Sequence, residues 1–256
     1  MKVFVTGATG FVGQRLLRRL LLRGDQVVAL TRNKRSMAQS QPSDRLLIVE
    51  GDPAKPGPWQ EQVAGCGAVV TLAGEPVFGE RWSSAFKDRL VESRIEGAKQ
   101  MCEALAPLGP QERPSTWIAA SAIGYYGSRG DEPVGESALA GDDFLARLCV
   151  RWETETRAAD SLGIRQVFLR IGIVLGEGGG MLAKMVPPDS LNNDLRRLMT
   201  TLFADPAVAA RFRKAPAAKS IHHAWLGGLL EHNLSVYHVI EGICAHYARE
   251  APGLVD

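Results

Sequence analysis

Several features that define other classes of protein are scarce in this sequence. Of its 256 residues only four are cysteines, and their spacing fits neither a metal site nor a disulfide framework: Cys66, Cys102, Cys149 and Cys244. We interpret them as buried free thiols in a reducing compartment. No run reaches the roughly 18 apolar residues of a membrane span, and glycines interrupt the short apolar start, unlike a secretory signal. These absences predict a cytoplasmic protein without a membrane partner.

An excess of charge of one sign is also lacking. The chain has 30 lysines and arginines against 28 aspartates and glutamates, a formal net charge of +2. Its basic residues are spread along the chain, which gives no electrostatic footprint for nucleic acid. Because 45% of the residues are hydrophobic, the chain can bury a substantial core. We therefore expect a globular protein whose partner is a small-molecule substrate.

Short β-branched runs alternate with longer segments of helical period over most of the chain. This pattern predicts an α/β fold of Rossmann type, a doubly wound parallel sheet. The predicted strands are residues 3–5, 27–30, 46–49, 69–72, 117–120 and 166–170, and the first helix, 11–22, is predicted to end at Gly24. The alternation of strand-like and helix-like segments ends after Gly176, so we place a boundary near Pro188. This predicts a sheet domain over 1–188 and a short all-helical segment over 189–256.

A glycine-rich turn joins the first predicted strand to the first predicted helix. Glycines at this spacing are typical of a turn that binds a diphosphate: Gly7 permits the tight turn, Gly10 the close approach of backbone N–H groups, and Gly13 the packing of helix on strand. The helix N-terminus adds about half a positive charge. A turn that merely needs a positive φ is the alternative. The candidate cofactor contacts here are Thr6, Gly7, Thr9, Gly10, Phe11, Val12 and Gly13.

The end of the second predicted strand distinguishes between the two dinucleotides. An acidic residue there would bind a ribose 2′-hydroxyl, whereas this chain has Arg32 followed by Lys34 and Arg35, which favours the 2′-phosphate of NADP(H) over NAD(H). A solvated basic loop is the alternative interpretation. Asp52, after the third strand, is a candidate for the adenine amino group or an ordinary turn aspartate.

Five motifs in order resemble the NAD(P)-dependent epimerase family of the extended short-chain dehydrogenases/reductases over residues 1–188. They are TGATGFVG at 6–13, LAGE at 72–75, ESRI at 92–95, SAIGYYG at 121–127 and GDDFLARL at 141–148. The resemblance implies an NADP-binding oxidoreductase or epimerase fold with Leu72, Ala73 and Gly74 beside the cofactor. Glu75 and Arg94 are candidate substrate contacts. As alternatives, Glu75 and Ser93 cap helices.

The resemblance also implies a catalytic pair that this sequence does not show. In the superfamily, a Tyr-x-x-x-Lys pair on the helix after the fifth strand transfers the proton, and the lysine lowers the tyrosine pKa. We match those two places with Phe144 and Leu148, so the pair is missing. Ordinary dehydrogenase or epimerase chemistry would therefore need other residues to do the work of this tyrosine and lysine.

Three residues near the end of the fifth strand are candidate substitutes. Ser121 is the candidate orienting hydroxyl, and Tyr125 or Tyr126 the proton donor, with Arg94 or Arg147 as a nearby cation. Alternatively, the two tyrosines pack at the mouth of the site and transfer no proton. The expected activity is hydride transfer on a small carbonyl or hydroxyl substrate, and a dinucleotide sensor without turnover is the alternative.

The segment 189–256 resembles a different family through HHAWLGGLLEH at 222–232. It is similar to the start of the HD-type metal-dependent phosphohydrolase domain of 3′-to-5′ exoribonucleases, in which His232 matches a metal ligand. Since the other ligands of that family are not found, we expect no working metal site. The first resemblance is incomplete where the two meet and the second at the end of the sequence, so we expect a gene fusion or a truncated or rearranged reading frame. The predicted helix 83–105 is a candidate interface for a homodimer.

Overall fold

The structure, a computed structural model, describes residues 1–35, 37, 43–77, 80–130, 133–174 and 204–207. Six parallel strands form one sheet in the order β3-β2-β1-β4-β5-β6. They are β1 (Lys2–Thr6), β2 (Gln26–Thr31), β3 (Leu46–Glu50), β4 (Ala68–Thr71), β5 (Thr116–Ala122) and β6 (Arg165–Ile171). All six predicted strands are confirmed to within two residues at each end. The strand order reverses between β1 and β4, which is where such sheets bind ligands.

The α-helices that the described residues form in full between these strands are α1 (Phe11–Arg23), α2 (Ser84–Leu105) and α3 (Phe144–Arg157). Short 3-10 helices lie at Pro58–Val63, Ile123–Tyr126 and Ala158–Leu162. Gly24 forms the C-cap of α1, as predicted. Ser83 Oγ accepts the Phe86 backbone N–H at the start of α2, and Asp143 Oδ1 accepts that of Ala146 at the start of α3. These caps satisfy backbone donors that a helix leaves unpaired at its first turn.

The sheet has a core on both faces because successive side chains of a strand point to opposite sides. On one face, Val3 and Val5 of β1 pack in a buried cluster with Leu17 of α1. On the other, Phe4 packs with Trp59 and with α2 residues that include Met101. Continuous apolar strands covered on both faces are the reason the sequence predicts a parallel, doubly wound sheet.

The contacts divide the chain into two units. The first, Met1–Gly127 with Ala140–Ile171, contains the whole sheet and the three α-helices. In the second, Ser128–Leu139 with Gly172–Asp256, an Arg129 Nη donates to the Leu139 carbonyl at 2.6 Å, and Asp205 Oδ1 accepts the Ala207 N–H at 2.7 Å.

Some predictions fall on residues that the structure does not describe. They are the boundary near Pro188, the helical character of 189–256 apart from 204–207, and the surroundings of His232. Within the described ranges, no helix is long and apolar enough to cross a membrane.

Candidate cofactor and substrate site

The turn between β1 and α1 is packed so closely that two of its glycines admit no side chain. Gly7 has φ +71°, and a Cβ there would lie 2.7 Å from the backbone nitrogen of Ala73. A Cβ at Gly13 would lie 2.0 Å from the Gly7 carbonyl oxygen. The predicted roles of Gly7 in a tight turn and of Gly13 in helix packing are confirmed.

The N-terminus of α1 is open to an anion. Its N-cap is Gly10, whose N–H bonds the Gly7 carbonyl at 3.0 Å, and no side chain of the described residues caps this end. Phe11 and Val12 are the first helical residues, and the first turn holds no acidic side chain. Free N–H groups and the helix dipole favour a phosphate at such an end. These residues therefore fit the diphosphate of a dinucleotide.

A cleft of about 390 Å³ lies over this turn, within the roughly 300–1,000 Å³ of small-molecule sites. It is bounded by the β1–α1 turn and by the segments that follow β2, β3 and β4. Nine predicted cofactor or substrate residues line it: Gly7, Thr9, Gly10, Arg32, Asp52, Leu72, Ala73, Gly74 and Glu75. The other predicted contacts of the turn, Thr6, Phe11, Val12 and Gly13, are not among the lining residues. Ser93 lines the cleft as well.

The cleft carries a cation at the end of β2 and an acid after β3. All three cations are exposed, but Arg32 lines the cleft whereas the neighbouring Lys34 and Arg35 do not. Asp52 Oδ1 accepts the Ala54 backbone N–H at 3.0 Å, an ordinary turn contact. That contact uses one carboxylate oxygen, so the turn role and the adenine role of Asp52 are compatible.

A second cluster contains all three predicted catalytic residues. Ser121, 4% exposed, donates from Oγ to Glu153 Oε1 at 2.7 Å. Arg170 binds both oxygens of that carboxylate at 2.9 Å, and its Nη1 donates to the Tyr126 hydroxyl at 2.8 Å. The same guanidinium lies 3.5 Å from the centre of the Tyr125 ring. The structure therefore brings Ser121, Tyr125 and Tyr126 together around an ion pair.

The electrostatics of this cluster follow from its ion pair. Burial opposes ionisation of Glu153, but hydrogen bonds from Arg170 and Ser121 outweigh it and lower the carboxyl pKa. The hydrogen bonds to Glu153 in turn raise the pKa of Arg170, so both groups are charged at neutral pH.

Sequence reasoning missed Arg170 and Glu153. Of the two arginines it proposed as the nearby cation, Arg147 is exposed and donates to the Asp142 carbonyl. Arg94 donates to the carbonyls of Leu90 and Glu75 instead. An arginine among the apolar residues of the last predicted strand was an available signal, because a charge that becomes partly buried needs a partner.

The face of α3 turned towards the end of β5 differs from the predicted one. Leu145 lies against Gly124, and the Cys149 thiol lies beside Ser121 and Ala122, where burial raises its pKa. Phe144 and Leu148 pack instead in the apolar cluster that includes Phe86 and Leu90. The match of Phe144 and Leu148 with the catalytic pair is therefore wrong by one residue. The conclusion that the pair is missing holds, since α3 contains neither tyrosine nor lysine.

The alternative in which Glu75 and Ser93 cap helices is wrong. Ser93 lies inside α2, and its hydroxyl accepts the Glu75 backbone N–H at 3.1 Å. Glu75 itself lies in the segment after β4, along the cleft. Across the described ranges, no group of three or more His, Cys, Asp or Glu side chains is placed to hold a metal ion.

The strand order, the glycine turn and the cleft at the reversal point define a Rossmann-type nucleotide-binding domain. Residues 3–203 match the model of the NAD dependent epimerase/dehydratase family, and the chain belongs to this family. The match runs past the predicted boundary near Pro188.

Individual relatives agree with this assignment. The chain is 36% identical over 189 residues to the chloroplastic epimerase family protein SDR39U1 homolog of Arabidopsis thaliana, covering 73% of this chain and 53% of the relative. Human epimerase family protein SDR39U1 (isoform2), solved with NADPH, is 27% identical with a TM-score of 0.58, covering 93% of this chain and 71% of that one. A nucleoside-diphosphate sugar epimerase of Corynebacterium glutamicum is 26% identical with a TM-score of 0.60, covering 94% and 61%. The chain thus spans about half the length of the Arabidopsis relative.

Proposed function

We propose that the cleft binds NADP(H) and that the protein transfers a hydride to or from a small carbonyl or hydroxyl substrate. The observation that carries this proposal is the β1–α1 turn, in which Gly7 and Gly13 admit no side chain and the N-terminus of α1 is uncapped within the described part of the chain. Arg32 in the cleft lining favours NADP(H) over NAD(H). The NADPH bound to the human relative supports the same choice.

Bound NADP(H) would supply or accept the hydride. We assign the accompanying proton to the Tyr126 hydroxyl, because this hydroxyl is held at the end of β5 by the hydrogen bond that it accepts from Arg170 Nη1 at 2.8 Å. Glu153 fixes that guanidinium by accepting two hydrogen bonds from it. Ser121 belongs to the same cluster because its hydroxyl donates to Glu153. Tyr125, under the guanidinium, would shape the substrate position.

Calorimetric titration with NADPH and NADH tests the binding step. We expect NADPH to bind the full chain more tightly than NADH, and absence of NADPH binding at millimolar concentration would refute the proposal. The chemical step is tested by NADPH oxidation over a panel of carbonyl compounds. Tyr126→Phe should abolish turnover with little change in NADPH affinity, whereas Tyr125→Phe should retain part of the rate.

A dinucleotide sensor without turnover is the second candidate function. It is favoured by the face of α3 next to β5, where Leu145 and Cys149 offer neither a phenol nor a cation. NADPH oxidation by the wild type that disappears in Tyr126→Phe would count against a sensor. Binding of NADPH without oxidation of any carbonyl in the panel would favour it.

Further predictions from the sequence stand as proposals. We place the protein in the cytoplasm, without a nucleic-acid partner, and as a homodimer through the helix α2. We also propose that the segment 189–256 resembles the start of an HD domain and that it holds no working metal at His232. Light scattering of the purified protein tests the dimer, and metal analysis of the same sample tests the last point.

A further inference from the structure

The segment that follows β4 forms one wall of the cleft, and three side chains hold its backbone. Thr6 Oγ1 accepts the Ala73 N–H at 3.3 Å. Ser93 Oγ accepts the Glu75 N–H at 3.1 Å, and Arg94 Nη2 donates to the Glu75 carbonyl at 2.9 Å. Glu75 therefore has both of its backbone polar groups bound by neighbouring residues of α2.

Arg94 is itself held in place. Its Nη1 donates to the Leu90 carbonyl at 3.1 Å and to Ser93 Oγ at 3.4 Å. The guanidinium lies 5.3 Å from the centre of the Trp152 ring, and burial lowers its pKa. It also lies directly against the segment, since a Cβ at Gly74 would be 3.3 Å from Arg94 Cζ. The planar guanidinium of Arg94 can therefore link the segment to α2 through hydrogen bonds without being part of the cleft lining.

We propose that Arg94, with Ser93, is a positioning residue that keeps this wall of the cleft in its binding geometry before the dinucleotide arrives. The proposal rests on the proposed binding of NADP(H) in the cleft. A segment that is already ordered loses less conformational entropy on binding, so fixation raises affinity without adding a contact to the ligand. It also gives Arg94 a role different from the substrate contact that its motif suggested.

Two variants separate this role from a general effect on folding. Arg94→Lys keeps the charge but loses the fork, and Ser93→Ala removes the acceptor of the Glu75 N–H. The matched control is Arg89→Lys, on the same helix, where the arginine pairs with Glu80 at the surface. Hydrogen exchange of the ligand-free full chain reports the order of residues 72–77, and calorimetry reports the Kd for NADPH.

We expect faster exchange at the Ala73 and Glu75 amides in Arg94→Lys and Ser93→Ala, with exchange in β1 and β5 unchanged. We expect the NADPH Kd to rise about tenfold in these two variants and to stay at the wild-type value in Arg89→Lys. Wild-type Kd and wild-type exchange in both variants would overturn the proposal, as would an exchange increase spread over the whole sheet. If the wild type itself binds no NADPH, the proposed function fails, and the local exchange alone then decides whether Arg94 and Ser93 hold the segment.

Discussion

Gly13→Ala is the most severe small substitution that the β1–α1 turn offers. The new Cβ would lie 2.0 Å from the Gly7 carbonyl oxygen and 2.8 Å from Ala8 Cα, both backbone atoms that cannot rotate away. To reach ordinary contact at 3.4 Å, α1 would have to move by about 1.4 Å relative to the turn. Overpacking typically costs about 1–3 kcal/mol, and we expect the upper end because the clash is with backbone. For a chain of this size that lowers Tm by roughly 6–12 °C.

Thermal unfolding by circular dichroism measures this effect, with Gly97→Ala as the matched control. Gly97 lies inside α2, and a Cβ there would meet its nearest neighbour, the Pro53 carbonyl oxygen, at 3.9 Å. Alanine is the better helix former, so the control should be stabilised by up to about 1 kcal/mol. If Gly13→Ala lost less than about 1 kcal/mol, within the ordinary range of point mutations, the close packing of α1 on the turn would be refuted.

Three further predictions concern the cleft, the ion pair and the cysteines. Arg32→Glu should weaken NADPH binding by roughly 1.5–3 kcal/mol and strengthen NADH binding, because a glutamate there can accept the ribose 2′-hydroxyl; calorimetry that shows equal losses for both would contradict the role of Arg32. Because the folded-state pKa of Glu153 is lowered, its contribution to stability is present above the unfolded pKa of about 4.3 and is lost as the pH falls through the folded value. Glu153→Gln should therefore flatten the acid decline of the urea-unfolding free energy, and an unchanged decline would contradict this. Burial raises the pKa of the thiols of Cys66, Cys102 and Cys149, that of Cys102 to about 11. Iodoacetamide at pH 8 should therefore label these cysteines in urea but not in the native protein, as measured by peptide mass spectrometry. Equal labelling in both conditions would contradict the burial of Cys66 and Cys149 and the partial burial of Cys102.

The sheet and the glycine turn could be predicted because their signals are local. Each strand is a short apolar run that must be covered on both faces, and two helix boundaries carry a cap residue, Gly24 at the end of α1 and Asp143 at the start of α3. The turn is similarly local, since its glycines follow a strand and begin a helix. These features depend little on what the rest of the chain does.

The second cluster could not be predicted to the same extent, because long-range packing assembles it. Glu153 and Arg170 are seventeen residues apart and meet only when α3 lies against β5 and β6. The rotation of α3 about its own axis decides whether Leu148 or Cys149 faces Ser121, and a one-residue error in matching the motif changes that face. Likewise, the motif predicts that Arg94 contacts the substrate, whereas in the structure its guanidinium donates to the backbone carbonyl of Glu75.

A crystal structure of the full chain soaked with NADPH would show directly where the dinucleotide lies. We expect its diphosphate against the backbone N–H groups at the start of α1, over Gly7 and Gly10, with the 2′-phosphate beside Arg32. A turn closed off by side chains, or a diphosphate bound away from it, would contradict the assignment of the cleft.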